Sequence, residues 1–183
     1  IVKGAASGRG RGKEVLSSMR SADLCIILLD ATRPHEYDTI VSEIYDTHIR
    51  LNQRKPDVKI NKTAKDGIRV GSTIKLSYLD EETVTRILKE FRINNAEVVI
   101  RSDITVDQFI DCVEGNKKYM PSLTVLNKAD LVAPDQLEHI KRKYDVDLTI
   151  SAQKGEGLDD LKESIFQKLD LIRIYLKEPT EKA

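Results

Sequence analysis

The chain has 183 residues, of which 40% are hydrophobic, 33% charged and 5% aromatic. This composition excludes a collagen-like chain and wholesale disorder, because glycine and proline are too few and apolar residues too many. No run approaches the roughly 20 apolar residues of a membrane span, and no leader indicates secretion, so a cytoplasmic protein of one or two domains without a membrane partner is expected.

The 30 basic and 30 acidic residues cancel to a formal net charge of zero, but they are unevenly spread. Residues 1–20 carry five basic and one acidic residue, a net charge of +4, and residues 50–75 carry eight basic and two acidic, a net charge of +6. A zero total therefore does not exclude local binding of phosphate or nucleic acid.

The first predicted elements are a helix, a strand and a second helix. A helix is predicted over residues 11–22, after a glycine-rich start. Residues 24–29 are continuously apolar, which is typical of a strand covered on both faces, and Asp30 ends this strand. Pro34 suits the first turn of a helix over residues 34–46.

Residues 47–118 interrupt this pattern with elements of a different kind. The predicted order is strand, strand, helix, strand, helix, over residues 58–62, 68–76, 80–91, 96–101 and 106–113. The first two strands are predicted to form a hairpin. A ββαβα unit of this size can hold its own core, so we predict a small α+β domain inserted into the chain.

The first pattern then returns, with strands over residues 122–126 and 147–150 and a helix over residues 134–144. The last helix is predicted from apolar residues at three- and four-residue steps. These residues are Leu158, Leu161, Ile165, Leu169, Ile172 and Leu176. The alternation indicates an α/β domain with a mostly parallel sheet, whose strands end in the polar residues typical of a site.

The strand over residues 122–126 leads into Asn127-Lys128-Ala129-Asp130, an N-K-x-D pattern. Guanine presents two donors on one edge, N1–H and the exocyclic N2–H₂, which one ionised carboxylate can accept together. Adenine offers no such pair of donors. The asparagine amide can reach another polar edge of the base, and the lysine stem can lie along the purine face.

The strand over residues 147–150 leads into Ser151-Ala152-Gln153, a serine–alanine turn that usually accompanies N-K-x-D. Its backbone N–H can donate to guanine O6, and the serine hydroxyl can brace the loop. Two such motifs, each after a strand and separated by one helix, are much more specific than either alone. They predict guanine-nucleotide binding.

The sequence contains no G-x-x-x-x-G-K-[ST] phosphate loop and no D-x-x-G motif. The glycine-rich residues 8–13 do not supply a phosphate loop, because Ser7 stands where its first glycine is needed and Glu14 where its serine or threonine is needed. Catalytic residues and protein metal ligands are therefore not expected among these 183 residues.

Together with the two base motifs, several segments resemble the DRG branch of the Obg-like GTPases, and archaeal members in particular. The segments are Ile1-Val2-Lys3-Gly4-Ala5, Gly8-Arg9-Gly10-Arg11-Gly12, Ile49-Arg50-Leu51-Asn52, Glu97-Val98-Val99-Ile100-Arg101-Ser102-Asp103, Val113-Glu114-Gly115-Asn116, Tyr119-Met120-Pro121 and Leu171-Ile172-Arg173-Ile174-Tyr175. The resemblance includes the interrupting segment, which most GTPases of this class lack.

The resemblance implies a partial P-loop GTPase domain over residues 1–46 and 119–178. It also implies a ribosomal-protein-like insert over residues 47–118 and a tail over residues 179–183. The phosphate loop and the Mg²⁺ ligands are expected upstream, and a TGS domain downstream. The residues expected in the second switch are Ile1, Gly4, Gly8, Gly10 and Gly12.

The resemblance implies that the full-length protein, of which this chain would be a part, hydrolyses GTP to GDP and phosphate in connection with translation. The resemblance also implies two partners, the ribosome or ribosomal RNA and a regulatory protein. It does not decide whether K⁺ is a cofactor in addition to Mg²⁺. In this chain Asn127, Lys128, Asp130 and the turn at residues 151–153 are expected to bind guanine. Without a phosphate cradle, the chain alone is expected to be inactive.

The alternative is a non-enzymatic module that binds RNA, the ribosome or a protein through its basic insert. The residues expected to contact RNA are Arg54, Lys55, Lys59, Lys62 and Lys65. Such cations can neutralise phosphates without reading sequence, but the same pattern also suits a solvated basic surface. Aromatic residues are not interleaved with them, so base stacking is not supported.

Overall fold

The structure is a computed structural model that describes residues 18–174. The start of the helix predicted from residue 11 lies outside this range, as do the expected second-switch residues Ile1, Gly4, Gly8, Gly10 and Gly12. Two compact units are present, one formed by His48–Tyr119 and the other by the chain on either side of that segment. No helix within residues 18–174 combines the length and the apolar character needed to cross a membrane.

The helices and strands alternate through most of the described chain. In chain order they are β1 (Cys25–Asp30), α1 (Tyr37–Asp46), β2 (Ile49–Leu51), β3 (Val58–Lys62), β4 (Ile68–Ser72), α2 (Glu81–Glu90), β5 (Ala96–Ile100), α3 (Val106–Glu114), β6 (Lys118–Met120), β7 (Ser122–Asn127), α4 (Pro134–Lys143), β8 (Leu148–Thr149) and α5 (Leu158–Lys168). Short 3-10 turns at Pro34–Glu36 and Ala129–Leu131 precede α1 and α4.

The first unit contains a three-stranded parallel sheet in the order β1-β7-β8. Its central strand β7 has a neighbour on each edge and is buried from Ser122 to Leu126. The register places Asp30 of β1 opposite Asn127 of β7, so the two strands end side by side. The expectation of a mixed α/β unit with a parallel sheet is confirmed.

The prediction that β1 is covered on both faces is wrong for the described residues. Ile27 and Leu29 are buried, whereas Ile26 and Leu28 are 42% and 56% exposed. Successive side chains of a strand point to opposite faces, so only one face of β1 is covered within residues 18–174.

The last helix is shorter than the apolar periodicity predicted. Helix α5 ends at Lys168, and Asp170 takes a left-handed backbone with a φ of 52°. The Leu171 N–H then donates to the Phe166 carbonyl at 3.2 Å, and the Asp170 N–H donates to the Gln167 carbonyl at 3.0 Å. This pair of contacts is a Schellman motif, which ends a helix. Ile172 lies beyond it and is 80% exposed.

The second unit contains a three-stranded sheet in the order β3-β5-β4. The predicted hairpin between β3 and β4 is wrong, because β5 lies between them, antiparallel to β3 and parallel to β4. Ala96, Val98 and Ile100 of β5 are at most 1% exposed, so the most apolar strand takes the centre. The parallel pairing of β4 with β5 needs a crossover connection, which α2 supplies.

One face of this sheet packs against α2 and α3. The core between them contains Val84 and Leu88 of α2 and Phe109 of α3, all fully buried. Each helix begins at a capping side chain that accepts a backbone N–H three residues on. The Asp80 carboxylate accepts from Thr83 at 2.7 Å, and the Thr105 hydroxyl accepts from Gln108 at 3.3 Å.

Two strands that the sequence did not predict, β2 and β6, pair with each other at the ends of the second unit. Arg50 of β2 is 4% exposed and donates twice to the Asp111 carboxylate of α3, at 2.6 Å from Nε and 2.9 Å from Nη2. The Lys117 ammonium lies 3.5 Å from the same carboxylate and also contacts Glu114. A buried charge cluster therefore joins the chain entering this unit to the chain leaving it.

Gly157, which precedes α5, should not tolerate a side chain. Its φ is +74°, and a Cβ there would lie 2.7 Å from the Thr149 carbonyl oxygen. We expect Gly157→Ala to lower the free energy of unfolding by roughly 2–3 kcal/mol through left-handed backbone strain and this clash. Urea denaturation measures the loss.

Gly155 supplies the matched control, because its φ is +77° but nothing lies within 4 Å of the corresponding Cβ position. Gly155→Ala should lower the free energy of unfolding by about 1 kcal/mol, because only the left-handed backbone strain applies there. Equal losses in the two variants would contradict the clash with Thr149.

Candidate functional site

The loops that follow β1, β7 and β8 lie at the same edge of the parallel sheet. Carboxyl ends of parallel strands are where open α/β sheets place their ligands. Two backbone contacts hold these loops together. The Ala31 N–H donates to the Asn127 carbonyl at 2.9 Å, and the Ala129 N–H donates to the Ile150 carbonyl at 3.1 Å.

The Asn127 side chain joins the loop after β7 to the loop after β8. Its Oδ1 accepts from the Lys128 N–H at 2.8 Å and from the Ala152 N–H at 3.1 Å. The sequence suggested the backbone of the second loop as a donor to guanine O6, whereas the Ala152 N–H is used here by Asn127. The two motifs, which are 25 residues apart at this contact, therefore form one structure.

The Lys128 ammonium contacts the end of the neighbouring strand. Lys128 has a left-handed backbone with a φ of 59°, and its Nζ donates to Asp30 Oδ2 at 2.7 Å. Asp30 Oδ1 accepts from the Thr32 hydroxyl at 2.7 Å and from the Thr32 N–H at 2.9 Å. These donors, Lys128 foremost, hold the pKa of the Asp30 carboxyl well below its usual range. Asp30 therefore braces the loops as an ionised acceptor.

Asp130 also carries an ionised carboxylate. The Ser151 hydroxyl and the Lys154 ammonium, in that order, hold its pKa below the usual value. The Lys154 Nζ lies 3.3 Å from Asp130 Oδ2. The Asp130 side chain is only 11% exposed, whereas that of Lys154 is 53% exposed. Sequence reasoning missed this ion pair and the Lys128–Asp30 pair, because nothing in local spacing marks them.

The loop after β8 is closed on itself. The Ser151 N–H donates to the Glu156 carbonyl at 3.1 Å, and the Glu156 N–H donates back to Ser151 at 3.1 Å. Ser151 is 2% exposed, whereas Ala152 and Gln153 lie exposed on this loop. Of the six residues expected to bind guanine, the contacts above join Asn127, Lys128, Asp130, Ser151 and Ala152, and Gln153 follows in the same loop.

The residues expected to contact RNA lie in the second unit. Arg54 and Lys55 are in the connection from β2 to β3, Lys59 and Lys62 are on β3, and Lys65 is in the connection to β4. All five side chains are exposed. Arg50, by contrast, belongs to the buried charge cluster, so the net charge of the basic stretch overstates its exposed cations.

Asn127→Ala should loosen both loops, because it removes the acceptor shared by two backbone N–H groups. We expect the amides of Lys128 and Ala152 to exchange with solvent about 10-fold faster, the effect of losing hydrogen bonds worth about 1 kcal/mol each. Hydrogen exchange followed by NMR measures this. Gln136→Ala, at an exposed position of α4, is the control, and unchanged exchange in Asn127→Ala would contradict the bridging role.

Comparison with known proteins identifies relatives of this chain. Residues 65–171 match a family described as the C-terminal region of the MMR_HSR1 domain. A GTP-binding protein of Methanocaldococcus jannaschii is 48% identical over 100% of this chain and 48% of its own length. Developmentally-regulated GTP-binding protein 1 of Xenopus laevis is 40% identical, and Ribosome-interacting GTPase 1 of Saccharomyces cerevisiae is 38% identical, each over 97% of the chain and 48% of the relative.

The chain thus spans about half the length of these curated relatives. The similarity runs through both units, since the alignments cover 97% or more of the chain. The resemblance seen in the motifs is confirmed. The chain belongs to the DRG branch of the Obg-like GTP-binding proteins.

Proposed function

We propose that the loops after β1, β7 and β8 bind the base of a guanine nucleotide. The observation that carries this proposal is the low-exposure, ionised Asp130 carboxylate held beside the Asn127 bridge. A carboxylate can accept both N1–H and N2–H₂ of guanine. The Asn127 Oδ1 is occupied by two backbone donors, which leaves its amide nitrogen to donate to another edge of the base.

Lys128 and Ser151 support the pocket without needing to contact the base edge. The Lys128 ammonium donates to Asp30, so the side chain of Lys128 joins the carboxyl end of β7 to that of β1. Ser151 bonds Asp130 through its hydroxyl and closes its own loop through its backbone. Ala152 and Gln153 complete the proposed pocket on the loop after β8.

We further propose that the protein containing this chain hydrolyses GTP to GDP and phosphate. The support is family membership and a relative that is named a GTPase. Phosphoryl transfer needs a phosphate cradle, and the sequence has no phosphate-loop motif, so the 183 residues alone should release no phosphate from GTP. Within residues 18–174, no group of three or more His, Cys, Asp or Glu could hold a metal ion.

A titration of the chain with GDP and ADP, followed by amide chemical shifts in NMR, tests the proposed base site. GDP should shift the amides of the loops after β7 and β8, with ADP binding at least about 10-fold more weakly, since adenine lacks the paired donors. Shifts that are equal for the two nucleotides, or confined to the second unit, would refute the assignment.

The second unit supports a second function, contact with ribosomal RNA. We propose that His48–Tyr119 corresponds to the small α+β insert, because it has its own core and its own sheet. Five exposed cations lie between β2 and β4. One relative is named for its interaction with the ribosome, which supports RNA as the polyanion that these cations meet.

A further inference from the structure

The second unit contains a polar cavity of about 350 Å³ that the sequence did not indicate. It lies between the connection that precedes β3 and the connection that follows β5. Residues 53–57 form one side and residues 101–104 the other, with Gln108 from the first turns of α3. All of these residues lie in the second unit, so the cavity is separate from the proposed base site.

Hydrogen bonds tie together the two connections that line the cavity. The Arg101 N–H donates to the Asp57 carbonyl at 2.9 Å, which extends the pairing of β3 with β5 by one contact. The Asp57 N–H donates to the Ser102 hydroxyl at 3.0 Å. Pro56, between Lys55 and Asp57, is buried. The backbone next to Lys55 is therefore held by hydrogen bonds and packing.

The charged side chains of the cavity differ in whether they form salt bridges within residues 18–174. The Asp57 carboxylate pairs with Arg101 at 3.5 Å. The Asp103 carboxylate accepts from the Ser77 N–H at 2.8 Å, a contact that keeps its pKa below the usual value. Arg54 and Lys55 are exposed and form no salt bridge with any residue in the described part of the chain. The lining carries three cations and two carboxylates, so it has an excess of one positive charge.

A phosphate group is the anion that suits this arrangement. A guanidinium presents a planar fork of donors, and an ammonium adds a compact charge, the pair that phosphate oxygens commonly meet. Further exposed cations follow along the same strand, at Lys59 and Lys62 of β3. The side chains of Lys59 and Lys62 leave β3 on opposite faces, and a ligand with several phosphates can meet more of these separate cations than a single free anion can.

We propose that this cavity holds one phosphate of an RNA strand whose neighbouring phosphates meet the cations of β3. The proposal rests on RNA contact by the second unit, and it goes further by naming the anchoring position. Arg54 and Lys55 supply the contacts inside the cavity, while Lys59 and Lys62 supply weaker contacts on β3, at the edge of the sheet.

The test uses the 183-residue chain and a labelled oligouridine, with binding followed by fluorescence anisotropy across salt concentrations. The cavity variant is Arg54→Ala with Lys55→Ala, and the control is Lys59→Ala with Lys62→Ala. Both remove two positive charges from the same stretch, so a difference between them reports position and not charge. Circular dichroism and urea denaturation establish that both variants are folded.

We expect the cavity variant to bind oligouridine about 10-fold more weakly and to reduce the magnitude of the salt slope by about 1. The control should lose less than about threefold in affinity. Equal losses in the two variants would overturn the cavity while leaving RNA contact by the second unit intact.

Absence of oligouridine binding by the unmodified chain would overturn both the proposed cavity site and RNA contact by the second unit.

A competition experiment distinguishes RNA from free phosphate as the ligand. Inorganic phosphate, compared with chloride at equal ionic strength, should displace oligouridine only weakly, because a single phosphate lacks the neighbouring contacts. Tight binding of inorganic phosphate without binding of oligouridine would refute RNA as the ligand.

Discussion

Asp130→Asn is expected to reverse base preference from guanine to xanthine nucleotides. Xanthine has a carbonyl oxygen at C2, where guanine has its amine. An asparagine amide can donate to that oxygen, whereas the carboxylate of Asp130 would repel it. A good bidentate contact to a base is worth about 1–3 kcal/mol, so the ratio of guanine to xanthine affinity should change by about 10- to 100-fold.

Competition between GDP and XDP, followed by saturation-transfer NMR on the chain, measures this ratio even when binding is weak. Asp135→Asn, in the first turn of α4, removes the same charge from an exposed position and should leave the ratio unchanged. The Lys154 side chain loses its partner in Asp130→Asn, but it is 53% exposed and can be hydrated. A retained preference for GDP in Asp130→Asn would refute the role proposed for Asp130.

Asp111→Ala is expected to destabilise the second unit strongly. The Asp111 carboxylate is the shared acceptor of Arg50 and Lys117, whose side chains are 4% and 5% exposed. Removing one member of a buried ion pair costs about 3–5 kcal/mol, since the remaining charge is left in a poorly hydrated interior. The variant should unfold at a much lower urea concentration than the unmodified chain.

The reciprocal variant Arg50→Met should lose less stability than Asp111→Ala. Asp111 keeps the Lys117 ammonium at 3.5 Å, and methionine restores part of the volume that the arginine filled. Urea denaturation of both variants, followed by circular dichroism, compares the two free energies of unfolding. A loss for Arg50→Met as large as for Asp111→Ala would show that the carboxylate is not the common acceptor.

Local patterns predicted the elements whose signals are contained in a few residues. Pro34 and Pro134 mark helix starts that the structure has, and the apolar runs before Asp30 and Asn127 are parallel strands. The strands β2 and β6 were missed because each has three residues, too few for periodicity to show. The two strands pair with each other although most of the second unit separates them in sequence, so local patterns cannot reveal the pairing.

Some features of the candidate site could likewise be predicted from the sequence, and others could not. The residue types of N-K-x-D and of the serine–alanine turn could be recognised from sequence, since hydrogen-bonding capacity belongs to each side chain. The partners that hold those side chains could not, because Lys128 contacts Asp30, 98 positions earlier in the sequence. Nothing in either local segment specifies that the two strands lie side by side.

The family, most of the strands and helices, and the hydrogen-bonding groups at the strand ends could be recognised in the amino-acid sequence. Three features became visible only in the folded chain: β5 separates β3 from β4, Arg50 is buried against Asp111, and Arg54 and Lys55 lie at a cavity. Arg50 and Asp111 are 61 residues apart, and a cation in a basic stretch looks the same in sequence whether buried or exposed. Packing of distant segments decides which charges lose water and need a partner, and local sequence does not carry that information.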